Sequence, residues 1–383
     1  MKNPRFSKVP VTYKISSLIK GSFRSLKSSL GIKSDKNEVN ISILGNGACG
    51  TSFAKVFAAA KDDHGNFIHN SITIWGRNEE ITDGINKKHR QIKRFPEIQL
   101  PKSIKATTDK RDAIAHADIV FIAVSAQNAR AALAEFKPFV NSKTIFVSLM
   151  KGLEADTNAR MSTVISDALE IPLSRVAVLY GPNLAGELME DMPSGAVVSS
   201  SNLRAAKLVA RVTNTENFRV YLSPDVIGVE LCGSIKNVIA ISIGACRGLG
   251  YGYNTSSTLI ARGLAEMVTL GKAMGAKDET FFGLAGVGDL IATCSSSSSR
   301  NHAFGYHLGQ GLTVEEAIEA SAGVCEGFKT APVLLEIAEK NGLDLKLIKA
   351  INLLIRGEIT ADQIAVLALE STNRDIFGLS EFE

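Results

Sequence analysis

A lysine stands in the middle of "LCGSIKNVIAIS" (231–242), a stretch otherwise suited to a protein interior. With Leu231, Ile235, Val238, Ile239 and Ile241 around Lys236, a helix here is apolar on nearly every face and therefore buried. An ammonium in such a place loses hydration, which lowers its pKa towards the range useful for proton transfer near neutral pH. The helix alone leaves two readings open: a proton-transfer group, or a lysine that carries its charge to the surface or pairs with a carboxylate such as Glu230. Further on, "GDLIAT" sets Asp289 and Thr293 four apart, on one face if the segment is helical; a capping Asp with an incidental Thr is the plainer alternative. "SSSSSRN" (295–301) brings hydroxyls, a guanidinium and helix N-terminal N–H groups to one point, which suits a phosphate dianion, although serine-rich loops are commonly only loops.

Lys151, in "MKG", follows a strand-like run, and ligands bind at strand carboxyl ends in open α/β sheets; a solvated loop lysine is the alternative. "ILGNGACG" supplies Gly45, Gly47 and Gly50 in G-x-G-x-x-G register, straight after a strand and opening a helix. The first glycine permits the tight turn, the second a close approach of backbone to a pyrophosphate, and the third close packing of helix on strand. The end of the next strand reads "IWGRNEE", with Arg77 ahead of Glu79 and Glu80, and an arginine there suits a ribose 2′-phosphate. The expected cofactor is NADP, or NADP and NAD alike.

These groups need a scaffold, and the chain supplies two kinds. Apolar runs at 39–44, 71–75, 118–124, 144–149, 176–180, 196–201 and 218–222 alternate with helical stretches, which predicts a doubly wound, mostly parallel sheet of Rossmann type. After 223 the strand pattern ends and long helices take over. The expected fold is α/β then all-α, with a dinucleotide-binding domain over 39–222 and a helical substrate and catalytic domain over 223–383. The 383 residues are ample for two cores.

Composition excludes several classes of function. Residues 1–38 hold 9 Lys and Arg against Asp35 and Glu38, so the rest of the chain carries 34 Lys and Arg against 37 Asp and Glu, a balance that gives no reason to expect nucleic-acid binding. The basic, serine-rich arm is expected to be disordered, with organellar targeting or peripheral membrane contact as alternatives. No run of 18 apolar residues predicts a transmembrane segment, and five scattered cysteines without a C-x-x-C pair predict reduced thiols in a cytoplasmic protein without a zinc site.

Taken in order, "MKGLE", "YGPNLAGE", "NVIAISIGACRGLGYGYNTSSTLIARGLAEM", "GLAGVGDLIATCSSSSSRNHAFG" and "VCEGFKTA" closely resemble the NAD(P)-dependent glycerol-3-phosphate dehydrogenases, over about residues 39–350. The resemblance implies reversible hydride transfer between NAD(P)H and dihydroxyacetone phosphate, giving sn-glycerol 3-phosphate for glycerophospholipid synthesis, in a cleft between a Rossmann and a helical domain. It implies that Lys236 is the proton acceptor in oxidation, with Lys151 at substrate and cofactor, Asp289 orienting the lysine and Thr293 adding a hydrogen bond. Gly181, Asn183, Ser299, Arg300 and Asn301 match substrate positions. Gly45, Asn46, Gly47, Ala48, Cys49, Gly50, Arg77, Asn78, Ala185, Val324 and Glu326 match cofactor positions, with Lys151 and Arg300 close to both ligands. Many bacterial members have Ser at Asn183, but an amide can also donate to a phosphate or hydroxyl oxygen. Glu326 is nearly as well read as an ordinary exposed acid. Arg247 and Tyr253 stand where the family commonly has Asp. A homodimer and no metal are expected. The rival readings are another Rossmann-plus-helical dehydrogenase of hydroxy or sugar acids, and a non-catalytic dinucleotide sensor or scaffold.

Overall fold

The structure is a computed structural model, and it describes residues 39–62, 64–69, 71–321 and 325–369. The basic arm 1–38 and the C-terminal 370–383 lie outside the described residues, as does Val324.

The first half alternates strand and helix: β1 (Ile41–Leu44), α1 (Ala48–Phe57), β2 (Ile72–Trp75), α2 (Glu79–Lys88), β3 (Ile104–Thr107), α3 (Lys110–Ile114), β4 (Ile119–Ile122), α4 (Ala129–Ala134), β5 (Ile145–Ser148), α5 (Met161–Leu169), β6 (Val176–Tyr180), α6 (Ala185–Met189), β7 (Ser194–Ser199), α7 (Leu203–Thr213) and β8 (Phe218–Ser223). The strands form one sheet in the order β3-β2-β1-β4-β5-β6-β7-β8, parallel except where β6 meets β7. The run of β-branched and aromatic residues in β1, β4, β5 and β6 is explained by burial on both faces, with one apolar cluster under each face. The order reverses between β1 and β4, which opens a crevice at their carboxyl ends. Strand β3 was absent from the sequence expectation because "IKAT" is short, lies on the sheet edge and carries the exposed Lys105.

From Val226 the described chain is helical: α8 (Val226–Gly248), α9 (Tyr253–Ala273), α10 (Asp278–Phe281), a π-type turn (Leu284–Gly288), α11 (Asp289–Ser295), α12 (Arg300–Gly309), α13 (Val314–Ala320), α14 (Glu326–Lys340), α15 (Lys346–Ile355) and α16 (Ala361–Leu369). Asp225 starts α8 by accepting from the Gly228 N–H at 2.9 Å. Helix α8 is apolar and long enough to cross a membrane, yet 89% of its most apolar window is buried inside the protein, with α9, α11, α12 and α14 packed around it. It is the core of the second half.

Helix α12 lies on α8 at backbone contact. A Cβ at Gly244 or Gly248 would overlap the carbonyl oxygens of His302 and Tyr306, and one at Gly305 or Gly309 would overlap those of Ile241 and Ala245. Rising positions on one helix meet rising positions on the other, so the two run parallel. The N-terminus of α12, with Ser299, Arg300 and Asn301, is thereby held at the level of the middle of α8, where Lys236 sits.

Candidate active site

The glycine loop sits at the sheet's switch point. Gly45 has φ +127°, and a side chain there would come within 2.5 Å of Ala123 O at the end of β4. A Cβ at Gly50 would overlap Gly45 O, so α1 could not lie this close to β1 with any other residue. Around Gly47, by contrast, a Cβ would meet nothing within 4 Å, and as N-cap of α1 it offers no side-chain hydrogen bond. Open space over an uncapped helix N-terminus fits the pyrophosphate of a dinucleotide. Ala48 and Cys49 form the first turn; burial raises the Cys49 thiol, opposed by the charges of Lys151 and Arg300, so both cations stand near this loop. Helix α6, which begins at Ala185, packs against α1.

At the end of β2 the first charged side chain is Arg77, with Glu79 and Glu80 opening α2 behind it. A side chain at Gly76 would overlap the Asn46 side chain, whose amide reaches Asn78 O at 3.4 Å. Arg77 is exposed, Asn78 caps α2 through the Ile81 N–H, and Glu80 pairs with Lys93 at 2.6 Å.

Lys236 does not reach the surface and does not pair with Glu230. It is 5% exposed, and its Nζ donates to Asp289 Oδ1 at 2.8 Å and to Thr293 Oγ1 at 2.6 Å. Glu230 instead accepts from Arg160 and Ser162. Asp289, 2% exposed at the start of α11, accepts on its other oxygen from Lys151 Nζ at 2.7 Å, and Lys151 Nζ also donates to Gly181 O at 2.7 Å. Thr293, one turn on from Asp289, lies on the same helix face and donates to Oδ1 at 3.3 Å. Burial lowers the Lys236 ammonium to about 8; Asp289 pulls it up and Lys151 pushes it down. Two lysines from opposite halves of the chain thus meet at one buried carboxylate, and one of them can exchange a proton near neutral pH.

The serine-rich segment ends at a capped helix. Ser299 Oγ accepts from the His302 N–H at 3.3 Å, and Arg300 is exposed at the first position of α12. Asn301 Oδ1 accepts from Gly327 N at 2.9 Å and Cys325 Sγ at 3.0 Å, which leaves its amide hydrogens for an acceptor. The charge of Arg300 is felt at Cys49 in the dinucleotide loop and at Glu326 at the start of α14.

The structure adds to the sequence reading of two side chains. Glu326 is half-buried rather than exposed: Oε1 accepts from Ser125 Oγ and Ala126 N, both at 3.0 Å, across to the loop after β4, and Oε2 is buried without a hydrogen bond. Burial raises its pKa against the hydrogen bonds from Ala126 and Ser125 and the charge of Arg300. Asn183 donates to Gly195 O at 3.0 Å and keeps Oδ1 buried without a partner. What this side chain lacks is a donor, which a ligand hydroxyl supplies and a phosphate dianion does not.

Sequence reasoning overlooked Asn237, whose Nδ2 donates to Lys151 O at 3.1 Å and ties the β5 loop to α8. Its signal was present: a second polar residue beside Lys236 in an apolar helix. It overlooked Ser125 as well, which no local pattern marks. Among the described residues no group of three or more His, Cys, Asp or Glu is placed to hold a metal ion.

The arrangement has relatives. Residues 40–206 match the profile of the NAD-dependent glycerol-3-phosphate dehydrogenase N-terminus, and 225–366 match that of the C-terminus. The chain is 46% identical over 302 residues to a glycerol-3-phosphate dehydrogenase [NAD(P)+] of Bifidobacterium longum (strain NCC 2705), covering 79% of this chain and 88% of the relative. It is 42% identical over 340 residues to the protein of that name from Thermobifida fusca (strain YX), covering 88% of this chain and 99% of the relative. Among solved structures, a glycerol-3-phosphate dehydrogenase from Coxiella burnetii superposes with a TM-score of 0.80 at 31% identity, covering 88% of this chain and all of that one. With both profiles matched in order across the two halves, the chain belongs to the NAD-dependent glycerol-3-phosphate dehydrogenase family.

Proposed function

We propose that this chain catalyses reversible reduction of dihydroxyacetone phosphate to sn-glycerol 3-phosphate with NADPH or NADH. The observation that carries the reading is the buried Lys236, bound to Asp289 and Thr293 and facing a second lysine from the sheet side. The bound nicotinamide nucleotide supplies or accepts the hydride. The protein's part is to hold the substrate and to move one proton at the C2 oxygen. With its pKa at about 8, Lys236 is mostly protonated at neutral pH and donates to the C2 oxygen in reduction; in oxidation the neutral amine accepts the hydroxyl proton. Asp289 orients it, and Lys151 adds a fixed positive charge beside the developing oxyanion. Ser299, Arg300 and Asn301 hold the phosphate, which does not react. Asn183, which lacks a donor, suits the free hydroxymethyl end of the substrate.

Residues 39–222 serve as the cofactor-binding domain and the chain from 223 as the substrate and catalytic domain. Arg77, exposed just past the end of β2 and ahead of Glu79 and Glu80, favours NADPH, with NADH also used. The product would feed glycerophospholipid synthesis, and a cytoplasmic homodimer is the expected form. The test is steady-state reduction of dihydroxyacetone phosphate by the purified protein with each nucleotide in parallel. Turnover with either supports the reading; turnover only of a hydroxy acid or sugar acid, or of nothing, overturns it.

A further inference from the structure

We propose that Glu230 is a positioning residue for this reaction: by gripping the start of α5 it sets the height of Lys236 against Lys151. The inference rests on the dehydrogenase reading above.

On α8, positions 230, 233 and 237 fall within one narrow stripe, because residues three, four and seven apart share a helix face. All three meet the sheet half. Glu230, 1% exposed, accepts from Ser162 N and Ser162 Oγ, both at 2.7 Å, and from Arg160 Nη1 at 2.5 Å. Gly233 lies against the Tyr180 ring, 2.7 Å from where its Cβ would be, and the Tyr180 hydroxyl donates to Met150 O. Asn237 holds the carbonyl of Lys151.

The segment from Lys151 to Ser162 is thus fastened to α8 at both ends. One fastening is next to Lys236 and the other is nearly two turns away. A rod held at one point can still tilt and slide; held at two, it cannot. Glu230 supplies the second point, and it does so with a buried carboxylate at a helix N-terminus, a charge-assisted arrangement stronger than a neutral contact. Burial raises the Glu230 carboxyl, and the charge of Arg160 and the hydrogen bonds from Ser162 oppose this. The hydrogen bonds of Glu230 go to Arg160 and Ser162 and not to Lys151, Lys236 or Asp289, so the effect on chemistry is indirect.

The experiment compares Glu230→Gln, Glu230→Asp and wild type in the full chain. A displacement of about 1 Å at a reacting group can cost on the order of 10²-fold, so Glu230→Gln is expected to lower kcat at least tenfold with the nucleotide Kd essentially unchanged, and Glu230→Asp to recover part of it. The titration of Lys236, followed by amine labelling and mass spectrometry, is expected to move up from about 8 in Glu230→Gln as the lysine regains water. That second readout needs no turnover. Wild type that fails to reduce dihydroxyacetone phosphate would sink the dehydrogenase reading, while the Lys236 titration still decides this one. Unchanged kcat and an unchanged Lys236 titration, with only a lower Tm, would show that Glu230 serves stability alone and overturn the proposal. If Glu230→Gln does not fold, Ser162→Ala removes one of the same hydrogen bonds and is expected to shift both readouts in the same direction by less.

Discussion

Lys151 and Lys236 share one carboxylate, their ammonium nitrogens lying 2.7 and 2.8 Å from the two oxygens of Asp289. One acid between two cations leaves a net positive charge where a carbonyl oxygen must become an alkoxide. It also makes the properties of each lysine depend on the other.

Replacing Lys236 by Met removes the proton donor and leaves Asp289 paired with Lys151. A positioned acid or base contributes about 10²–10⁴-fold, so kcat should fall by that order while nucleotide affinity, read by fluorescence titration, is kept. Wild-type kcat in this variant would remove Lys236 from the chemistry.

The pH dependence follows from the same group. Lys236 titrates at about 8 instead of 10.5, so kcat/KM for reduction, which needs the ammonium, should fall above about pH 8, and kcat/KM for oxidation should rise up to it. The linked effect on stability has the opposite sign to an ordinary ion pair. Below about pH 8 the buried charge costs stability, and the cost fades as pH rises from 8 to 10.5, where the unfolded chain binds the extra proton. The stability of Lys236→Met relative to wild type should therefore be greater at pH 7 than at pH 10, as measured by urea midpoints.

Asp289→Asn leaves the buried Lys236 ammonium facing the half-buried Lys151 ammonium with no carboxylate between them. Losing one partner of a buried pair costs about 3–5 kcal/mol, which denaturant titration would read directly. With Asp289 gone and Lys151 still present, the alkaline limb for reduction should move below about pH 8. A limb that moves upward would contradict the assignment of causes.

Gly305→Ala places a methyl group on Ile241 O, so α12 and α8 must move apart to accommodate it. A loss of about 1–3 kcal/mol is expected from overpacking, with poorer binding of dihydroxyacetone phosphate as the N-terminus of α12 moves off the site. Gly186→Ala, whose Cβ would meet nothing within 4 Å, is the control and should be neutral.

Arg77→Ala should lower kcat/KM for NADPH by about tenfold or more, the value of a charge-assisted contact, and leave that for NADH nearly unchanged. Equal losses with both nucleotides would separate Arg77 from the 2′-phosphate.

What the sequence made legible was what depends on near neighbours. The glycine register, the four-residue spacing of Asp289 and Thr293, and the uniform apolarity around Lys236 all lie within one element or one turn. Partners far apart in sequence were not legible by the same means: Glu230 looked like a possible mate for Lys236 because it is close in sequence, yet its partners are 68 and 70 positions away. The link from Lys236 to Asp289 came from family resemblance, since no periodicity relates residues 53 apart. The glycine pairs 244/248 and 305/309 did carry a readable pattern of close helix contact, but each half is uninformative until its mate is known. Strand β3 escaped because an edge strand need not be apolar.

Helix α8 has the length and apolarity of a bilayer-crossing segment. As the chain is made, that segment emerges before α11, α12 and α14 exist to cover it, and membrane-insertion machinery judges it on composition. A lysine at the centre of such a segment costs about 2.5–3.5 kcal/mol on insertion, and the Glu230 carboxylate adds to the cost. The two charged side chains that prepare this helix for chemistry therefore also raise the cost of placing it in a bilayer, so a variant with apolar residues at both positions would present a better substrate for membrane insertion than the wild-type segment does.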